Sequence, residues 1–368
     1  MMQEQQVRRS IHDRLVGVLR GAGNIAESTV TTSREVIVTT LRSGGDVVKE
    51  ASSAAGQALI GALEAARDVG TGAGSVVKDS VIGVIQGVGE VTTVTAGVIS
   101  DTVRAAIKGT RDIGGDVGDV ARGAIGTTHD VAGDLRDAAF GLARGTVQGI
   151  QDVGGDVGTA VSGALRGAVR GVEEIGGDVT RTIRNTARGL IRGTADVGGD
   201  VLQAVAATAK GAVVQTEDLV VSFSDAVTSV ARGLITGAKE VGSELGEVAK
   251  ATVRGSVEGA REISGDTTRA IRDTARGLIR GAADVGGDLG KVALATVEGA
   301  IDSAKSAGLK AGDAASAAAT GAVEAAREVG ESAVKAVTSA VETTIGGVKV
   351  VVKAPFTEKK EKEPAKKS

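Results

Sequence analysis

Two histidines, His12 and His129, and no cysteine are all that this chain offers of imidazole and thiolate chemistry. An imidazole works as a base or a ligand when an acid or a second ligand converges on it. Both histidines instead share a register with arginines and lysines, which makes them solvated side chains on a wet face. The paired carboxylates Glu173 and Glu174 could trade a proton only in a pocket that splits their pKa values, and such pairs recur along a polar face without one. Gly70-Thr71-Gly72-Ala73-Gly74 lacks the third glycine of a dinucleotide turn and follows no strand, and no P-loop lysine stands at the spacing that cradles phosphate. Gly114-Gly115-Asp116-Val117-Gly118-Asp119 has the composition of a calcium β-roll turn but not its nonapeptide period. The expectation is no enzyme, no cofactor, no metal and no small-molecule substrate.

What the chain carries instead is a repeat, seen most plainly in Thr186 to Val205, TARGLIRGTADVGGDVLQAV. Val197 is answered every 22 residues by Leu219, Val241, Ile263, Val285, Ala307, Val329 and Val351, and upstream by Ile175, Val153 and Val131. One 18-residue step separates Val131 from Ile113, after which Val91, Val69, Val47 and Ile25 resume the spacing. Ile183, Ala187, Leu190, Thr194, Val197, Val201, Val205 and Thr208 follow one another by threes and fours, which is helical. Each unit splits into two elevens of three turns at about 3.67 residues per turn, a hendecad pattern.

Charge tests this independently. With Val197 as slot 10 of an eleven and Gly198 as slot 0, Arg and Lys gather in slots 8, 1 and 5, as in Arg184, Arg188 and Arg192. Asp and Glu gather in slots 9 and 2, as in Asp196 and Asp200, with Arg14, Arg136 and Lys335 as exceptions. These slots are contiguous on a helical wheel, and the others form one wide small-residue face. Its landmarks are Ile175, Ile183, Leu190, Val197, Val201, Val205, Val241, Ile263, Ile271, Leu278 and Val285.

The predicted fold is all-α: a long amphipathic hendecad repeat helix, continuous or folded into a few long hairpins, without a globular core. Only Phe140, Phe223 and Phe356 are aromatic, and a conventional core is hard to build from that. Unbroken, the helix would run on the order of 500 Å, and the 18-residue step, about five turns, restores the face it interrupts. The Gly-Gly-Asp runs at Gly114, Gly154, Gly176, Gly198 and Gly286 look like a helix stop followed by an N-cap, and Val69 to Ser75 like a turn. VGSEL at Val241, VGESA at Val329 and VVSFS at Val220 occupy equivalent places without that signal, so both arrangements stay open. Residues 1–9 form a polar lead-in, 10–353 the repeat region with its phase shift between 113 and 131, and 354–368 a Lys/Glu-rich tail expected to be disordered.

Net charge of −3 and the missing Tyr and Trp argue against nucleic acid. The longest uncharged run, Ala51 to Leu63, is too short to span a bilayer, and the first twenty residues lack the apolar centre of a secretory signal. The expected location is cytoplasmic, with a peripheral place on a membrane or lipid droplet as the other option. With 56 glycines at roughly 1 kcal/mol each relative to Ala, an isolated helix of this sequence should not be stable, so something must cover its apolar face. Gly189 and Gly193, Gly233 and Gly237, Gly255 and Gly259, and Gly277 and Gly281 form GxxxG pairs at one border of that face, which would let another helix approach closely. Basic slots lie toward one edge of the polar arc and acidic slots toward the other, so parallel neighbours would set a basic flank against an acidic one.

A short motif recurs in Thr146-Val-Gln148-Gly149-Ile150, Thr186-Ala-Arg188-Gly189-Leu190, Thr208-Ala-Lys210-Gly211-Ala212, Thr252-Val-Arg254-Gly255-Ser256, Thr274-Ala-Arg276-Gly277-Leu278 and Thr296-Val-Glu298-Gly299-Ala300. It resembles the eleven-residue amphipathic repeats of synucleins and perilipins, and more distantly those of group 3 late-embryogenesis-abundant proteins. The resemblance implies a chain that is poorly folded in dilute solution and becomes helical on lipid or on drying. The leading expectation is a coat on a membrane or lipid droplet through the wide face. The alternatives are a self-assembling right-handed coiled-coil rod of parallel copies and a desiccation protectant. Partners are thus a lipid surface, copies of the chain, or both.

Overall fold

A computed structural model describes residues 2–21, 24–43, 47–70, 73–92, 95–110, 135–152, 178–217, 222–342 and 344–352, with a few helical positions between 161 and 173. The described residues are helical almost throughout. In chain order the helices are α1 (Met2–Arg20), α2 (Ile25–Ser43), α3 (Val47–Val69), α4 (Ala73–Val91), α5 (Ala96–Thr110), α6 (Leu135–Asp152) and α7 (Val179–Asp196). They continue as α8 (Val201–Val214), α9 (Phe223–Glu240), α10 (Leu245–Glu262), α11 (Thr267–Asp284), α12 (Leu289–Ala307), α13 (Ala311–Val329) and α14 (Glu331–Val341). A hairpin of β1 (Thr344–Ile345) and β2 (Val348–Lys349) follows.

The 22-residue unit is one helix plus one reversal. Asp196 ends the 18 residues of α7, Val197 caps it, and Gly198 enters the left-handed region at φ 67°. The Gly199 N–H then donates to the Thr194 carbonyl at 2.9 Å, the six-to-one bond of a Schellman turn. Asp200 caps the next helix by accepting from the Gln203 N–H at 3.0 Å. Asp178, Asp266 and Asp288 repeat that cap on Arg181, Arg269 and Lys291. The continuous rod is therefore corrected: among the described residues the helix stops at every unit.

The described places without an evident stop signal, VGSEL and VGESA, break as well, while VVSFS begins outside the described residues. In VGSEL, Gly242 at φ 71° suffices, and the Ser243 N–H reaches the Ala238 carbonyl at 2.9 Å. Ser264, at φ 52°, stands alone among the described non-glycine residues in doing the same work. In the polar lead-in α1 already begins at Met2, and it buries Val7. The phase shift and the tail lie outside the described residues.

Because each reversal turns the chain round, a helix packs most extensively on the helix two units away. One row runs α1, α3, α5, α6, α7, α9, α11, α13; behind it lie α2 with α4, and α8, α10, α12 with α14. Within a row the helices are parallel, since Gly233 faces Arg184 and Gly237 faces Arg188 at one constant offset. The space between the rows is a core of small aliphatics. Ile183, Leu190, Leu234, Leu278, Val257 and Val297 have at most 1% of their surface exposed, so the expectation of a coreless protein is overturned for the described residues. Small volume substitutes for aromatic bulk: the rows approach closely enough for Ala, Val and Gly to fill the gap.

Candidate functional site

The apolar landmarks are spent on the fold itself. Ile183, Leu190, Val205, Ile271 and Leu278 are buried between helices. Val197, Val241, Ile263 and Val285 are helix caps at the reversals, and with Val201 they are half-buried against the neighbouring buried aliphatics. Ile175 lies outside the described residues. Among the described residues, the large apolar side chains left in the open are Ile25, Leu294, Val329 and Val351.

All eight GxxxG glycines sit where one row helix touches the next. A Cβ on Gly189 would fall 2.5 Å from the Phe140 carbonyl oxygen, and one on Gly259 2.7 Å from that of Lys210. On Gly193 it would fall 3.0 Å from the Arg144 Cα. Gly233, Gly255 and Gly277 meet the carbonyl oxygens of Arg184, Ala206 and Thr228 still more closely, and Gly237 and Gly281 abut Arg188 and Arg232. Backbone packs on backbone at each seat, which only a missing Cβ permits.

Above the seats runs a ladder of ion pairs. Arg144 Nε reaches Asp196 at 2.6 Å, Arg188 reaches Glu240 at 2.5 Å, Arg232 Nη2 donates to Asp284 at 2.7 Å, and Arg276 approaches Glu328 at 3.6 Å. Arg272 with Glu324 and Arg280 with Glu328 add rungs at 3.0 and 2.8 Å, while Lys210–Glu262 and Lys250–Glu298 form the counterpart in the second row. The basic flank meets the acidic flank between parallel helices, but those helices belong to one chain. Each exposed rung contributes only about 0–1 kcal/mol, so the ladder sets register more than stability.

Sequence reasoning missed several polar residues of this surface. Its register put Asp273 on the wet face, yet it is 3% exposed, accepts from Ser224 Oγ at 2.6 Å and lies 3.6 Å from Arg269. The Arg188 guanidinium lies 5.2 Å over the Phe140 ring and that of Arg269 5.6 Å over Phe223. The available signal was the offset shared by Arg144, Arg188, Arg232 and Arg276, each of which has its carboxylate 52 residues further along the chain. Burial, then the neighbouring Arg232 charge, pushes the Arg184 guanidinium down from its ordinary value. Among the described residues no set of three His, Asp or Glu converges as a metal site, and no helix is long and apolar enough to cross a membrane.

A charged cleft of about 610 Å³ lies between α1 and α3, lined by Gln5, Arg8, Arg9, His12, Glu64, Arg67 and Asp68. His12 Nδ1 faces Asp13 at 3.0 Å and Nε2 faces Asp68 at 2.9 Å, beside the Arg8–Glu64 pair. The bonds to Asp13 and Asp68 raise the His12 pKa. A raised folded pKa adds stability that is complete below the unfolded value, about 6.5, and lost as pH climbs through the folded one. Hydrogen exchange in α1 should therefore speed up relative to α3 as pH rises through that window, once intrinsic rates are divided out. In His12→Gln the step should vanish, and a step that persists would assign it to another group.

No protein-family model matches the chain, and no curated protein matches it. Among solved structures it is similar to a chain described as "Circular tandem repeat protein with novel repeat topology and enhanced subunit contact surfaces", at 14% identity and a TM-score of 0.28, with 93% of this chain and 82% of that chain covered.

Proposed function

We propose that the chain is a non-enzymatic structural scaffold, a helical repeat that folds before it meets a partner and works through its polar outer surface. One observation carries this reading: the face expected to cover lipid is already covered, with Leu190, Leu234 and Leu278 at 0% exposure inside the rows. To coat a membrane or droplet the helices would have to part, giving up every glycine seat and the burial of that face, worth about 25 cal/mol per Å² of apolar area. A filament of parallel copies packed side by side would use flanks that the internal ladder occupies. Desiccation protection asks for a chain unfolded in water, whereas the small-residue core and the repeated Schellman turns support one folded there.

Circular dichroism discriminates these. The scaffold is expected to be fully helical in buffer at every concentration, and to gain no helicity from anionic phospholipid vesicles, emulsified triglyceride or drying. A weakly helical chain that gains strongly on vesicles would replace this reading with the lipid coat; a gain only on drying would install the protectant.

A further inference from the structure

The two ends of the long row carry matching halves of the contact that its interior repeats. Inside the row, Gly277 sits on Thr228 and Ala231, and Gly281 sits on Arg232 and Ile235. Four units further along, Ser316, Ala319, Thr320 and Val323 present the same seat on α13, the last described helix of the row. No described helix follows there. Residues 344–352 lie against its Ser316 end instead: the Val351 N–H donates to Ser316 Oγ at 3.4 Å, and a Cβ on Gly312, one turn before it, would meet Val348 at 4.0 Å. Ile345 and Val350 are 5% and 9% exposed, and their side chains belong to the same core.

At the other end, α1 carries Gly17 and Gly21. Counted in 22-residue units and the one 18-residue step, they stand in the register of Gly189 and Gly193. In α3 the equivalent Gly61 lies against the Arg8 carbonyl, whereas no described atom comes within 4 Å of a Cβ on Gly17. Asp13 occupies the register of Asp273, a carboxylate that the row accommodates in its interior. The rung that would fall at a junction pairs Thr320 with Asn24, so no charge is left against its like.

We propose that α1 of one copy is the missing next helix for α13 of another, and that the hairpin and the strand after it are a plug that withholds the seat. Displacing the plug joins copies head to tail through unlike surfaces, which grows an open row rather than a closed pair. This rests on the scaffold reading but fails separately from it: low helicity of the native chain would sink the scaffold, whereas the experiment below addresses the plug alone.

Sedimentation velocity on the full chain tests it. The native chain should run as a single species, while Ile345→Asp with Val350→Asp should form longer species as concentration rises. Val351→Pro, which removes the N–H that holds Ser316 without introducing charge, should do the same if the double variant loses helicity. Adding Gly17→Leu should return either variant to the native species, because a side chain there bars the approach. A displaced plug with intact helicity and no association would overturn the proposal, as would association indifferent to Gly17→Leu.

Discussion

Gly277→Ala should destabilise the protein by about 2–3 kcal/mol, although the same change in an isolated helix would stabilise it by about 1 kcal/mol. The sign turns on packing. A Cβ at Gly277 would lie 2.7 Å from that of Ala231 and closer still to the Thr228 carbonyl oxygen, and a backbone oxygen cannot rotate aside as a long side chain can. Two parallel helices would have to separate along their whole contact. Gly17→Ala is the internal control, since no described atom lies within 4 Å of the added methyl. It should stabilise by roughly 0.5–1 kcal/mol through the unfolded chain. Urea unfolding followed by circular dichroism measures both, and two stabilising results would mean that the seats do not exist in solution.

Leu278→Ala should cost about 2–5 kcal/mol, the range for emptying a leucine site that cannot fully collapse. Leu278 is 0% exposed in a core that has few large side chains to spare, whereas Leu294→Ala, at 36% exposure, should move the midpoint little. The loss should also stay local. Repeat proteins are stabilised mainly through neighbouring units, so α9, α11 and α13 should lose hydrogen-exchange protection while α1 to α4 keep theirs. Uniform loss along the chain would show one cooperative body in place of coupled units.

Much of this architecture is legible in the residues. Steps of three and four from Ile183 to Val205 require helix, and the segregated charges predict that parallel helices meet basic flank to acidic flank, as Arg188 does with Glu240. Periodicity could not decide whether the helix continues. Twenty-two residues are about six turns of unbroken helix, and a helix of 18 with a four-residue reversal restores the same register. The decisive signal was a left-handed glycine after an apolar cap residue, which VGSEL possesses at Gly242. A wheel projection likewise says that a face must be covered but not by which molecule; here the cover for Leu190 and Leu278 is the same chain. Burial of Asp273 was invisible for a related reason, since its register is a wet one until Ser224 of the preceding row helix closes over it.

The reversal at every unit also governs how such a chain can lengthen or shorten. A helix finds its partner two units away and in parallel, so losing a single unit would flip every later helix into the opposite row and set each glycine edge against a surface cut for something else. Losing or duplicating a pair preserves every downstream pairing. The hereditary quantum of this molecule is therefore the double unit, and tandem copying in pairs is the route by which the architecture changes size without being redesigned.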